Sequence, residues 1–280
     1  MTPHTLVKAA AARLADAGID DAQDDARRLL RHALGLDAAG MVARGQAPLS
    51  DEEAARFEAL IARRALREPL SHIIGMQPFW TFELEVSRDV LTPRSDTETL
   101  VRAALGALAN HDAGVRILDI ATGSGAIALA LLSELPDASA VATDISAPAL
   151  EIARSNADRL GLAGRIAFHE TSWADGLEGP FDLIVSNPPY IDSAVIPTLE
   201  PEVSEFEPLL ALNGGEGGLA PYPHLLEEAR RLLTPGGHVF FEIGHDQGAA
   251  VCELARLSGF DGPRIIADLA GHGRVLALHD

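Results

Sequence analysis

One cysteine, Cys252, stands among 280 residues, which excludes an internal disulfide and suits a reducing compartment. Its neighbours Val251 and Leu254 point to helix packing for that thiol. Positive charge is also scarce. Lysine and arginine number 22 against 41 acids, a formal charge of −19, so long-range electrostatics oppose binding to a polyanion unless a local basic patch overrides them. Nucleic acid is therefore disfavoured as a direct substrate and a basic protein favoured, although acidity of this kind also serves solubility. No apolar stretch approaches the roughly 18 residues of a membrane span, and no apolar segment follows a basic start. The expectation is a cytoplasmic monomer with no membrane partner. The ten histidines are scattered, without HExxH or cysteines at ligand spacing, so no metal site is expected. Internal repeats and low-complexity tracts are absent.

The bulk composition, 47% hydrophobic and 22% charged, is that of an ordinary globular chain. At roughly 150 residues per domain, the length accommodates one large domain or one plus a small one. Residues 1–71 read as helices. Thr2-Pro3 looks like an N-cap with proline at N1, closed by Gly18; a second helix runs from near Asp20 to Gly35. A third opens on the capping-box pattern Ser50-Asp51-Glu52-Glu53 and stops at Pro69. So small a bundle buries little alone and should grip a partner or pack on the main domain. In residues 72–92, Phe82, Leu84 and Val86 alternate with polar positions, which suggests a hairpin linker.

Residues 93–280 begin with a second capping-box pattern, Ser95-Asp96-Thr97-Glu98, and then alternate strand and helix. Strands are expected at 115–120, 138–144, 165–168, 182–185 and 238–243. Helices are expected at 125–132, 149–160 and 223–233, the last closed by Thr234-Pro235-Gly236-Gly237. This βαβ succession argues an α/β domain with a parallel sheet covered on both faces.

Asp119-Ile120-Ala121-Thr122-Gly123-Ser124-Gly125 joins the first of these strands to its helix. Glycines there permit a tight turn and close approach of backbone to a ligand. Gly123 to Ala128 satisfies the GxGxxA form of the dinucleotide fingerprint, with Asp144 about 20 residues on, so an NAD enzyme has to be weighed. S-adenosylmethionine fits better. It carries no pyrophosphate, and Asp119 beside the turn repels a phosphate but tolerates an ammonium. Trp173 is placed either to cover an adenine ring or to fill the core.

Asn187-Pro188-Pro189-Tyr190 follows the apolar run Phe181 to Ser186 as an exit loop follows a strand. Two prolines remove backbone donors. Asn187, extended because it precedes a proline, directs its side chain and the Pro188 carbonyl outward. Two acceptors converging beside the flat face of Tyr190 make a clamp for an amide or an exocyclic amine. Hydride transfer to a carbonyl calls for a proton donor that this clamp lacks, whereas methyl transfer to nitrogen does not.

These segments together resemble the HemK/PrmC family, the protein-glutamine N5-methyltransferases that modify peptide chain release factors. The resemblance spans nearly the whole chain. It runs through Glu68-Pro69-Leu70, Phe79-Trp80, Thr92 to Glu98, the Asp119–Gly125 turn and Phe181 to Tyr190. It continues through Phe206-Glu207-Pro208, Gly214 to Leu219, Phe241-Glu242-Ile243-Gly244 and Asp268-Leu269-Ala270-Gly271. It implies an S-adenosylmethionine-dependent methyltransferase of Rossmann-like fold, with a seven-stranded, mostly parallel sheet whose last hairpin adds an antiparallel strand. A helical bundle and a β-hairpin linker would precede it; the bundle is read as recognising the protein substrate, with packing against the sheet domain as the alternative.

By the same resemblance Asp119, Ala121, Thr122, Gly123, Ser124, Gly125, Asp144, Trp173 and Asn187 hold the cofactor, released as S-adenosyl-L-homocysteine. Asn187, Pro188, Pro189 and Tyr190 hold the glutamine of a Gly-Gly-Gln loop in a release factor. Asn-Pro-Pro-Tyr alone is shared with N6-adenine DNA methyltransferases and with some RNA guanine methyltransferases. A ribosomal-protein glutamine methyltransferase is the other protein-directed reading, and Asp96-Thr97-Glu98 looks more like the release-factor branch. A catalytically idle binding module is the remaining class. Three residues depart from the family pattern: Ala121 for a usual glycine, Ser95 for a proline, and Glu205 for an arginine. If position 121 requires positive φ, alanine there costs about 1 kcal/mol.

Overall fold

The computed structural model describes residues 1–109 and 114–279; Asp280, the last residue of the expected third segment, lies outside them. The chain divides into two units, Met1–Met76 with Glu200–Phe206, and Gln77–Leu199 with Glu207–Asp280.

The first unit is helical: α1 (Pro3–Asp16), α2 (Ala22–Leu34), α3 (Ala38–Arg44), α4 (Asp51–Ala65) and α5 (Leu70–Ile74). Thr2 caps α1 by accepting from the Thr5 amide, and the Ser50/Glu53 box at α4 is complete in both directions. Gly35 ends α2 in the left-handed conformation that glycine adopts without strain. Leu14, Leu29, Leu30, Phe57 and Ile61 form the core. α4 stops at Ala65, short of Pro69, where Arg67 turns to φ 67°. That turn carries Arg67 onto Glu200 at 2.7 Å and Glu202 at 2.6 Å. Arg64 bridges Asp25 at 2.7 Å and Glu202 at 2.8 Å. These ion pairs, two of whose members are nearly buried, fasten the short helix α9 (Pro201–Ser204) into the unit. Sequence periodicity, being local, gave no sign of this attachment.

The second unit begins with a hairpin, β1 (Met76–Phe79) and β2 (Phe82–Glu85). Buried Asn156 ties β2 to the sheet domain, accepting from the Glu85 amide at 2.7 Å and donating to the Glu85 and Ser124 carbonyls at 3.0 Å each. The elements that follow are α6 (Glu98–Ala107), β3 (Arg116–Ile120), α7 (Ala126–Glu134), β4 (Ser139–Asp144), α8 (Ala147–Arg159), β5 (Ile166–Glu170) and β6 (Phe181–Ser186). After α10 (Leu209–Leu212) and α11 (Pro221–Leu232) come β7 (Leu233–Glu242), α12 (Gly248–Leu257), β8 (Arg264–Ala267) and β9 (Gly273–His279). The seven-stranded sheet has the order β5-β4-β3-β6-β7-β9-β8. β3 to β7 pair in parallel and β9 is antiparallel to both neighbours. One apolar cluster centres on α6, α7, Ile117 and Leu183, and another on α11, α12, Ile184 and Phe241. The sheet is thereby covered on both faces, as its near-continuous apolar strands require. Among the described residues no helix is long and apolar enough to cross a membrane, and no group of three or more His, Cys, Asp or Glu is placed to hold a metal.

Two local expectations are corrected. Thr234 to Gly237, read as the turn that closes a helix, belongs to β7; pairing with β6 starts at Phe181↔Leu233 and resumes after a bulge at Leu183↔His238. Ser95 to Glu98 does not form a capping box. Ser95–Thr97 is a single 3-10 turn and α6 starts without a side-chain cap. The Glu98 carboxylate instead accepts from the Trp80 amide at 3.2 Å, and the Thr97 hydroxyl is engaged by Asn187.

Candidate active site

The register of the sheet builds the site. Ile120 pairs with Thr143 on one side and with Ser186 on the other, and Ser186 pairs with Phe241. The next residue of each strand is therefore carried to the same edge: Asp144, Ala121, Asn187 and Glu242. The chain runs β3-β4-β5 in one direction and then returns to place β6 against the other flank of β3. Ligands of open α/β sheets bind at the carboxyl ends of such strands, where the order reverses. Ser186 Oγ donates to the Ile120 carbonyl at 2.7 Å, holding the two exit loops side by side.

A cavity of about 450 Å³ opens there, within the usual size range of small-molecule sites. Ala121, Thr122, Gly123, Ser124, Asp144, Trp173, Asn187 and Pro189 line it; Asp119, Gly125, Pro188 and Tyr190 do not. Ala121, Gly123 and Gly125 all have positive φ, of 58°, 56° and 84°, so the turn doubles back at alternate residues. The Thr122 amide donates to the Thr143 carbonyl, and the Gly123 amide to Asp144 Oδ2, each at 2.9 Å. Asp144 Oδ1 accepts from the Ser146 amide at 2.9 Å. Burial pushes the Asp144 carboxyl above its ordinary value. Asp119 lies beneath the turn, fully buried, with Oδ2 accepting from the Thr122 hydroxyl at 2.6 Å and the Ala128 amide at 3.2 Å. Burial raises it to about 7.

Opposite the turn, Trp173 adopts φ 50° and its carbonyl accepts from the Thr143 hydroxyl at 2.6 Å. Its ring stacks on His224 with centroids 6.3 Å apart and planes inclined by 13°. Ile145, more than half exposed, lines the cavity beside Asp144. Sequence reading missed Ile145, Thr97 and His224. Ile145 had a signal, since it directly follows Asp144, itself singled out in the sequence, whereas α11 offers nothing that separates His224 from surface histidines.

Asn187 supplies one unusual atom of the site; Asp119 Oδ1 and Glu242 Oε2 are likewise buried without a partner among the described residues. Its Nδ2 donates to Thr97 Oγ1 at 3.3 Å, while its Oδ1 is buried with no hydrogen-bond partner among the described residues. Orphaned buried acceptors are costly and uncommon in native structures. Tyr190 Oη donates to Glu242 Oε1 at 3.1 Å. Burial, reinforced by the Glu242 carboxylate, holds the phenol far above its ordinary pKa, so it stays neutral. The backbone of the clamp rests on a glycine loop: a Cβ on Gly214 would lie 2.7 Å from the Pro189 carbonyl oxygen, and one on Gly218 only 1.9 Å from that of Tyr190. Gln247 Nε2 donates to the same Tyr190 oxygen at 2.9 Å.

Known proteins carry the same two units. Residues 5–75 match the model of the PrmC N-terminal domain and residues 97–199 that of the methyltransferase small domain. A release factor glutamine methyltransferase of Caulobacter vibrioides is 47% identical over 97% of this chain and 95% of its own length. The chain belongs to the release factor glutamine methyltransferase family. Another member, from Cereibacter sphaeroides, is 43% identical over 99% of this chain and 98% of its own length. A methyltransferase of Pyrococcus furiosus, 20% identical, shares the fold at a TM-score of 0.50, over 79% of this chain and 96% of that one.

The cofactor of this family and fold is S-adenosylmethionine, and the cavity fits it. Among the described lining residues there is no lysine or arginine, whereas Asp89 and Asp144 both line it; acids without a cation suit a sulfonium and an ammonium and oppose a pyrophosphate. Asp144 spends one bond per oxygen on the backbone and keeps lone pairs for further donors. Ala121 meets the condition under which it is strained. Ala121→Gly should relieve about 1 kcal/mol, raising Tm by roughly 2–4 °C, with S-adenosylhomocysteine bound as tightly or more so by calorimetry. An unchanged or lower Tm would show that the turn is not strained at residue 121.

Proposed function

We propose that this chain transfers a methyl group from S-adenosylmethionine to the side-chain amide nitrogen, N5, of the glutamine in the Gly-Gly-Gln loop of a peptide chain release factor. The observation that carries this reading is the orphaned Asn187 Oδ1 at the cavity wall. An acceptor kept without a donor is complementary to an N–H that arrives with the substrate.

An amide nitrogen is a weak nucleophile because its lone pair is delocalised into the carbonyl. Asn187 Oδ1 would accept one of its N–H bonds and hold the plane so that the pair can point at the reacting carbon as positive charge develops, whereas Pro188, outside the cavity lining, holds the strand exit behind it. Pro189 shapes the wall, and Tyr190, which does not line the cavity, stands behind it, neutral and bonded to Glu242. Bound over the glycine turn, S-adenosylmethionine supplies an electrophilic methyl group on a sulfonium. Ala121 to Gly125, Asp144 and Trp173 would hold it, with Asp119 acting through Thr122 and the α7 amides instead of by direct contact. The proton departs after transfer, and the clamp needs no dedicated base. The helical unit is the proposed recognition surface for the release factor, and the cytoplasm, where translation terminates, the proposed place of action, with the enzyme as a monomer.

Mass spectrometry of a release factor incubated with enzyme and cofactor tests the reading. A gain of about 14 daltons on the loop glutamine is expected. No gain, or a gain confined to another residue, overturns it.

A further inference from the structure

We propose that Leu209 and Leu210 form a fixed apolar lip at the mouth of the cavity, on which the polypeptide flanking the target glutamine is seated. The inference rests on the glutamine reading above and extends it from the carboxamide to the loop that carries it.

α10 buries one of its leucines and displays two. Leu212 is 2% exposed and anchors the helix, whereas Leu209 and Leu210 are 59% and 58% exposed. A surface helix ordinarily gives its outer face to polar residues, yet α10, Leu209-Leu210-Ala211-Leu212, contains none. Large apolar side chains scattered singly over a surface need no explanation. The second unit exposes Ile145, Val195, Leu209, Leu210, Leu257 and Leu269. Of these, Ile145 and Leu210 also line the cavity, and Leu209 directly precedes Leu210. A side chain that lines a cavity and is still mostly exposed stands at its mouth. Ile145 does so next to Asp144, by the glycine turn. Leu210 does so on the side of the clamp: the amide of Ile191, the residue after Tyr190, donates to the Leu212 carbonyl at 3.0 Å, and the Gly214 amide donates to the Ile191 carbonyl at 2.9 Å.

The lip is tied down at both ends. Before α10, the Glu207 side chain is 1% exposed; both of its oxygens accept from Arg94 Nη2 at 2.8 Å, and Oε1 accepts also from the Thr92 amide at 3.3 Å. These bonds join Glu207 to the segment whose Pro93 and Thr97 line the same cavity. After α10, Asn213 Oδ1 accepts from the Ser193 hydroxyl at 2.7 Å and the Gly215 amide at 2.9 Å. Apolar side chains on a loose loop can fold inward and cover themselves, whereas a lip held in this way stays open to whatever arrives, and its order costs little when a partner binds.

A glutamine side chain that reaches Asn187 passes through this mouth, so the chain on either side of it crosses the rim. Leu209 and Leu210 offer neither charge nor hydrogen bonds, and the described cavity lining holds no lysine or arginine. Such a rim suits an uncharged loop with little side-chain bulk, as the glycines of Gly-Gly-Gln provide. It does not suit a nucleic-acid backbone, whose phosphates are met by cations and hydrogen-bond donors.

Leu209→Ser, Leu210→Ser, the double variant and Leu210→Met are compared in the full chain, with Leu257→Ser, 77% exposed on α12 and outside the cavity lining, as control. The double variant should raise KM for the release factor about tenfold or more, with kcat and S-adenosylhomocysteine affinity within about twofold of wild type, because the lost apolar contact is made equally in ground and transition states. Leu210→Met, which conserves volume, should keep KM within about threefold. Melting temperatures should not fall, since the side chains removed are largely exposed, and the control should match wild type throughout. In a second arm, Leu210→benzoylphenylalanine is irradiated with a release factor and S-adenosylhomocysteine, and mass spectrometry should place the cross-links in the loop that holds the glutamine. A double-variant KM within about twofold of wild type, a parallel loss of S-adenosylhomocysteine affinity, or cross-links absent or confined to other parts of the release factor overturns the proposal. If the double variant melts too low to assay, the cross-links decide. If wild type leaves the loop glutamine unmethylated, the glutamine reading falls, and the cross-links still decide whether the lip seats that loop.

Discussion

Asn187→Ala should cut kcat by about 100-fold or more while S-adenosylhomocysteine affinity changes by less than about tenfold, or roughly 1.4 kcal/mol. The asymmetry follows from what the side chain touches. Its NH2 group is spent on Thr97 and its oxygen, enclosed and unpartnered, has capacity reserved for a donor that is not part of the protein. Removing an interaction realised mainly as charge develops lowers kcat, whereas removing a uniform binding contact raises KM. The variant also deletes a buried orphan acceptor, which lifts a penalty of about 1–3 kcal/mol, so Tm should not fall. An enzyme whose turnover survives Asn187→Ala within about tenfold, or whose cofactor affinity collapses in parallel with kcat, has its target amide held elsewhere.

The distribution of legible and illegible parts has a physical pattern. β3, β4 and β6 were readable because a strand buried on both faces has to be an apolar run, and Ile117-Leu118, Ala140-Val141 and Leu183-Ile184-Val185 are such runs bounded by glycine, proline or acid. The exit turns were readable for a related reason: glycines at 123 and 125 and prolines at 188 and 189 restrict backbone conformation in ways the residue types themselves declare. What failed depended on distance along the chain. Ser95-Asp96-Thr97-Glu98 has the letters of a capping box, and local propensity alone would form one, but Asn187 and Trp80, 90 and 18 residues away, claim the two side chains. Nothing in the sequence beside Glu200 and Glu202 points to Arg64 and Arg67, which meet them from more than 130 residues away. Glu242 left a visible signal, an acid at the end of an apolar strand, which is seldom buried without a purpose. A locally consistent pattern is overridden where a distant partner makes a competing demand, and the lost cap at Thr97, engaged by Asn187, is such a place.

Gly218→Ala should be among the most damaging single substitutions in the chain, although residue 218 does not line the cavity. Its φ is 69°, and an added Cβ would stand 1.9 Å from the Tyr190 carbonyl oxygen and 2.5 Å from Gln247 Nε2. The glutamine side chain can swing aside. The carbonyl cannot, because it belongs to the clamp backbone, which continues into the Ile191↔Asn213 bridge. Relief of the overlap requires Tyr190 to move by about 1 Å or more, and a shift of that size in a positioning group is worth about 100-fold in rate. Neighbouring Gly217 supplies the control: its φ is 64° and its Cβ would meet nothing within 4 Å. Both substitutions carry the left-handed strain of about 1 kcal/mol; only Gly218→Ala adds the overlap, about 1–3 kcal/mol more. Thermal melts should therefore place Gly217→Ala slightly and Gly218→Ala markedly below wild type, and methylation assays should separate the pair by about two orders of magnitude in kcat. Equal melts and equal rates for the two variants would mean that the Tyr190 carbonyl is free to yield, and that the glycine loop supports the clamp without fixing it.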